Sequence, residues 1–253
     1  MRLPRRLEHG QEVELVGHLE ELRSRLLVAG GAVLTTTILA FVVHGRVIAL
    51  LMAQLPPHHR RLLTLGVAEP FTTSLKVSFA LGFALALPIV LWQLWSFVAP
   101  ALTLKTQRGI AGFTVFAAAL LFGGIVFGYR VALPAALHFL TNYDNAIYNV
   151  QIRAADFISF SVLVLAACGA VFELPIVVLG LVRVGALTSK KLRSNRRIGY
   201  MIVAAIGVAL PGVDPITTIV ETIPLAILFE ASIWLSVFFE RRWFTSLSAV
   251  EGT

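Results

Sequence analysis

Ile110–Tyr129 is a run of twenty residues without a charge, and Glu173 alone interrupts Phe157–Val182. About 20 consecutive apolar residues cross ~30 Å of hydrocarbon. A backbone placed there must satisfy its own hydrogen bonds, so such runs fold as helices. Runs of this kind predict six spans: about 26–43, 71–97, 110–129, 157–182, 198–210 and 216–239. The fifth is short for a crossing, because Gly207, Pro211 and Gly212 end it. A re-entrant hairpin over 198–239 is the alternative for the last two, and the sixth helix is then short as well. Pro88, Pro175 and Pro224 fall inside spans two, four and six, where each removes a backbone donor and kinks its helix.

The fold class is therefore all-α, a polytopic membrane protein. Composition agrees: 57% of residues are hydrophobic and 14% charged, against about 25% charged in soluble domains. Residues 1–253 read as one integral membrane domain. The single cysteine, Cys168, excludes an intrachain disulfide and any cysteine-rich metal site. His58-His59, in a loop, is the nearest approach to metal-ligand spacing, and a solvated turn explains it. No hydrolase, phosphate-loop or zinc signature is present, so neither enzyme activity nor a cofactor is expected.

The net charge of +7 does not point to nucleic acid, because the cations sit in the loops between apolar runs. Fifteen Lys and Arg fall on one side: Arg2, Arg5, Arg6, Arg23, Arg25, Lys105, Arg108, Arg183, Lys190, Lys191, Arg193, Arg196, Arg197, Arg241 and Arg242. Five fall on the other: Arg46, Arg60, Arg61, Arg130 and Arg153. The excess places both termini in the cytoplasm, with external loops at 44–70 and 130–156.

Leu15, Leu19, Leu22 and Leu26 recur at helical spacing, so residues of about 12–25 form an amphipathic helix leading into span one. That helix carries the doublet Glu20-Glu21. Glu14, His18, Glu21 and Arg25 share one face, and Glu20 points about 100° away. A Glu21–Arg25 pair at i,i+4 contributes only ~0.2–0.5 kcal/mol on a solvated helix.

Three acids lie within the apolar runs: Glu173, Glu221 and Glu230. A charge near the bilayer centre costs at least ~2.5 kcal/mol, so such groups face a bundle interior, a wet cavity or a partner. A carboxyl hydrogen-bonded to a neighbouring helix is the plainer explanation for Glu173 and Glu230. Asp214, in Leu-Pro-Gly-Val-Asp-Pro, suits a cap on span six with Pro215 at its first position.

The ordered motifs resemble the TatC family, the receptor subunit of the twin-arginine protein translocase. They are His18-Leu-Glu-Glu-Leu-Arg23, Glu69-Pro-Phe, Trp92-Gln-Leu-Trp-Ser-Phe-Val-Ala-Pro-Ala-Leu102, Phe172-Glu-Leu-Pro175, and Pro211-Gly-Val-Asp-Pro215 running on to Ile223-Pro-Leu and Leu228-Phe-Glu230. Each is weak alone; the ordered set covers nearly the whole chain. The resemblance implies a concave, glove-like bundle in a bacterial-type cytoplasmic membrane. It implies binding of the twin-arginine signal peptides of folded precursors on the cytoplasmic side. It also implies single-span TatA-like and TatB-like partners, self-association within the receptor complex, and transport driven by the proton-motive force.

By the same resemblance Glu21 contacts the signal arginines, with Glu20 and Arg23 beside it. Gln93, Phe97 and Pro100 match the cytoplasmic end of span two. Glu173, two residues before Pro175, matches a glutamate of the concave face, Asp214 the turn aspartate, Glu230 the span-six glutamate, and Thr218 a position used in partner docking. One departure matters. The family's second glutamate, after span two, is replaced here by Thr106 or Gln107 in Thr103-Leu-Lys-Thr-Gln-Arg108. Either Glu20, Glu14 or Glu12 supplies a second carboxylate, or the site binds more weakly. The alternative function is a small ion- or proton-coupled secondary transporter using Glu173 and Glu230. That reading predicts inverted repeats, which the sequence does not display.

Overall fold

The computed structural model describes residues 15–98, 110–143, 147, 150–183, 185–210 and 215–248. Its regular structure is helical. In order, these are α1 (Leu15–Met52), α2 (Glu69–Val98), α3 (Ile110–Phe127), a five-residue π turn (Gly128–Ala132), α4 (Leu133–Asn142), α5 (Ala154–Phe172), α6 (Leu174–Arg183), α7 (Ser189–Ser194), α8 (Arg196–Ala209) and α9 (Pro215–Ser248). Among the described residues five stretches are long and apolar enough to cross a membrane: Leu19–Met52, Glu69–Leu94, Gly112–Asn142, Ala154–Arg183 and Pro215–Glu240.

The element bounds differ from the sequence expectation in four places. The amphipathic segment and span one are one 38-residue helix, about 57 Å long and so well beyond the hydrocarbon thickness. It runs past 43 because Gly45 costs a helix only ~1 kcal/mol and no proline follows before Pro56. Span three likewise continues beyond 129. The π turn carries it through Tyr129-Arg130, and Pro134 falls within the first two positions of α4, where a missing N–H is tolerated. The loop expected at 130–156 is shortened accordingly. The fifth expected span is α8, of 14 residues, about 21 Å long. The sixth is not short: α9 has 34 residues, and Pro215–Glu240 within it is long and apolar enough to cross a membrane by itself.

The described residues pack as two compact units. One takes α1 up to Leu50 and the chain from Leu65 to Ala119; the other takes Leu51–Thr64 and the chain from Leu120 onward. In the first unit α1 and α2 approach closely at Gly82. The Thr36 hydroxyl donates to the Gly82 carbonyl at 2.7 Å, and a Cβ at Gly82 would come within 2.5 Å of the Thr37 backbone. Small residues serve this purpose between membrane helices. The start of α2 is fixed by Glu69, whose carboxylate accepts from the Leu65 and Gly66 N–H groups at 3.0 and 3.3 Å.

In the second unit α6 and α8 pack along α9. The core along α9 is Leu225, Phe229 and Ile233 with Val203 of α8 and Val171 at the end of α5. Gly199 and Gly207 face the Phe229 ring and the Thr222 side chain so closely that neither leaves room for a Cβ. α3 meets α5 in the same manner, where Gly124 lies against the Cys168 carbonyl. Residues 63 and 152–154 join by backbone hydrogen bonds, Leu63 N–H to the Ile152 carbonyl (2.9 Å) and Ala154 N–H to the Leu63 carbonyl (2.8 Å).

Candidate functional site

The first unit holds one polar constellation at the N-terminal part of α1. Glu21 and Arg25 are one helical turn apart, so their side chains meet. Arg25 Nε and one terminal nitrogen donate to the same Glu21 oxygen, at 2.9 and 2.5 Å. The other terminal nitrogen reaches the Gln93 side-chain oxygen on α2 at 3.4 Å. The guanidinium is therefore clasped between a carboxylate and an amide from two helices. The pair is largely shielded, with 17% and 13% of the two side chains exposed, so solvent screens it less than an open surface pair.

The neighbouring candidates divide by helical angle. Glu20 and Arg23 are exposed, whereas Glu21 is half-buried, as the 100° step requires. Phe97 is half-buried one turn beyond Gln93. Pro100, Thr106 and Gln107 lie outside the described residues, as do Glu12 and Glu14. Arg25, absent from the expected binding set, is central to the geometry. The sequence signalled it as the i,i+4 partner of Glu21; its reach to Gln93 spans 68 positions and left no local trace.

The three acids of the apolar runs, all in the second unit, sit in different settings. Glu173 sits at the break between α5 and α6. Pro175 cannot donate to the Val171 carbonyl, and Glu173 N–H bonds to Ala170 and Val171 instead. Pro175 itself is buried, and both Glu173 carboxylate oxygens are buried with no hydrogen-bond partner among the described residues. Glu221 is buried on α9, one turn after the buried Thr217.

Glu230, expected to dock a partner, is engaged within the chain. It accepts from the Tyr200 hydroxyl at 2.6 Å, and Arg196 lies 3.5 Å from its other oxygen. This ties α8 to α9, which is a structural use of the charge. Thr218 is half-buried, and its carbonyl accepts from the Thr222 hydroxyl. Asp214 lies outside the described residues. Among the described residues no group of three or more His, Cys, Asp and Glu side chains converges as a metal site requires.

Residues 17–224 match the family model described as TatC, Sec-independent protein translocase protein. The chain is 33% identical over 232 residues to the Sec-independent protein translocase protein TatC of Carboxydothermus hydrogenoformans, covering 91% of this chain and 96% of that one. It is 34% identical over 233 residues to TatCd of Bacillus subtilis, covering 92% and 95%. Among solved structures, a crystal structure of the twin-arginine translocase receptor TatC in DDM superposes with a TM-score of 0.76 at 32% identity, over 87% of this chain and 99% of that one.

Proposed function

The chain belongs to the TatC family, the multi-pass, non-enzymatic receptors of the twin-arginine translocase, and on that premise we propose how its own residues do the work. Glu21 and Gln93 form the subsite for a signal arginine, with Phe97 one turn beyond Gln93; Pro100, Thr106 and Gln107 are assigned to it by the family resemblance alone. The observation that carries this reading is the clasp on Arg25: the carboxylate and amide already hold a guanidinium, supplied by the chain itself. An incoming signal arginine needs the same oxygens, so it exchanges with Arg25 rather than entering an empty pocket. Ion-assisted hydrogen bonds are roughly twice as strong as neutral ones, and the site works with one such carboxylate where the family pattern has two.

Both chain ends face the cytoplasm, on the 15-to-5 distribution of Lys and Arg. Glu173 is the docking point for a polar group of a TatA-like or TatB-like single-span helix, with Thr218 as a second contact. The support is the pair of buried carboxylate oxygens lacking a partner among the described residues. A polar group that pairs with nothing in an apolar setting is costly, and one brought by a partner helix relieves that cost. Receptor copies associate within the complex, and the proton-motive force drives the cargo step.

The direct test titrates a labelled twin-arginine peptide against the purified receptor. Glu21→Gln is expected to weaken binding at least about tenfold, the equivalent of ~1.4 kcal/mol. Glu21→Lys abolishes it by like-charge repulsion. Unchanged affinity in Glu21→Lys, with correct folding, removes Glu21 from the subsite.

A further inference from the structure

We propose that the α7–α8 elbow is a binding site for the phosphate headgroup of an anionic phospholipid. Ser189, Lys190, Arg193, Ser194 and Arg196 line an open cavity of about 530 Å³. Lys190 and Arg193 are exposed and have no acidic partner among the described residues, and Lys191 and Arg197 flank them in the same state. Two acids are near. Glu230 is occupied by Tyr200 and Arg196, and Glu240 accepts from the Ser189 N–H at 2.9 Å. Five cations against two committed carboxylates leave the elbow strongly electropositive. Arg and Lys donors converging on one cavity suit phosphate oxygens.

The occupant is identified by what adjoins the cavity. α8 leaves the elbow with Ile198, Met201 and Ile202 at i, i+3 and i+4, exposed at 57%, 72% and 55%. This is one apolar stripe on one helix face. The elbow follows directly on the end of the membrane-crossing stretch at Arg183, so the stripe enters the hydrocarbon where the cations leave it. A phospholipid satisfies both parts, with its phosphate among the cations and its chains along the stripe. Free phosphate or a soluble phosphopeptide uses only the first. Charges that merely set topology need the correct side of the membrane; they do not need a cavity above a lipid-facing stripe. Basic pockets at the cytoplasmic ends of membrane helices bind lipid headgroups on this principle. The consequence is mechanical. α8 is about 9 Å shorter than the hydrocarbon is thick, and a headgroup holding its elbow at the interface shifts that shortfall to the opposite end, where the bilayer thins.

The test is native mass spectrometry of the full-length protein released from phosphatidylcholine nanodiscs doped with phosphatidylglycerol. Wild-type protein is expected to retain phosphatidylglycerol in preference to phosphatidylcholine. Lys190→Gln/Arg193→Gln should lower that retention at least about tenfold. A control of the same net charge, Arg5→Gln/Arg6→Gln, should keep it. If the double variant does not fold, Arg193→Gln alone provides the comparison. Equal retention of phosphatidylcholine, equal retention by the elbow variant, or an equal loss in the control overturns the site. Displacement by millimolar inorganic phosphate, or tighter capture of a phosphopeptide, overturns the lipid assignment.

Discussion

Glu21 and Glu173 are both half-buried glutamates in a membrane protein, and the chain treats them in opposite ways. Glu21 has a cation one helical turn away and an amide on the next helix to complete the clasp. Glu173 sits at a proline-made helix break with both oxygens buried and no hydrogen-bond partner among the described residues. The difference separates two kinds of binding. A carboxylate holding an internal guanidinium is suited to exchange, because the ligand replaces one charge-assisted bond by another and the net gain is modest. A carboxyl without a partner is suited to capture, because any polar group brought to it removes a standing cost.

The largest expected effect breaks the comparison at Glu173. Glu173→Ala should lose crosslinking to the single-span partners by at least about tenfold, since a hydrogen bond to a buried polar group is worth ~1–3 kcal/mol. Signal-peptide binding should persist. Glu173→Gln keeps donors and acceptors and should retain most partner crosslinking and transport. A Glu173→Gln protein that assembles with its partners yet transports nothing would show a role in proton transfer instead of docking.

Glu230 sharpens the comparison, since it is an acid of the second unit that resembles Glu21 in being paired. Tyr200→Phe removes the 2.6 Å hydrogen bond. It should lower the thermal midpoint of the receptor slightly and leave partner crosslinking intact. Loss of crosslinking without a change in midpoint would return Glu230 to the docking surface.

What the sequence disclosed and what it concealed follow from the reach of each signal. Apolar run length is a local property, so the five long helices were legible, as was the shortness of α8, which is not among the stretches long enough to cross. The ordered motifs carried the family. Helix ends were less legible. His44-Gly-Arg46 and Tyr129-Arg130 read as the start of loops because they are polar. Yet α1 runs on to Met52 and the π turn carries α3 into α4, so polarity did not mark a helix end at either place. The site was half legible for a related reason. Glu21 and Arg25 announce each other through i,i+4 spacing, whereas Gln93 joins them only through the packing of α1 on α2. Glu230 had the same character, its partners Arg196 and Tyr200 lying on another helix. The isolation of Glu173 was beyond sequence, because the lack of a partner can be seen only once all neighbours are in place.

The central claim is that Arg25 holds the place of a signal arginine, and a double-mutant cycle on peptide affinity tests it most directly. Labelled twin-arginine peptide is titrated against wild type, Arg25→Gln, Glu21→Gln and the double variant. An exchanging clasp predicts that Arg25→Gln binds the peptide about two- to fivefold more tightly, because a partly shielded ion pair of ~0.5–1 kcal/mol no longer competes. The double variant should then match Glu21→Gln alone, since without the carboxylate there is nothing left to compete for. If Arg25→Gln instead weakens binding as much as Glu21→Gln does, Arg25 is a scaffold for the site and the exchange account is wrong.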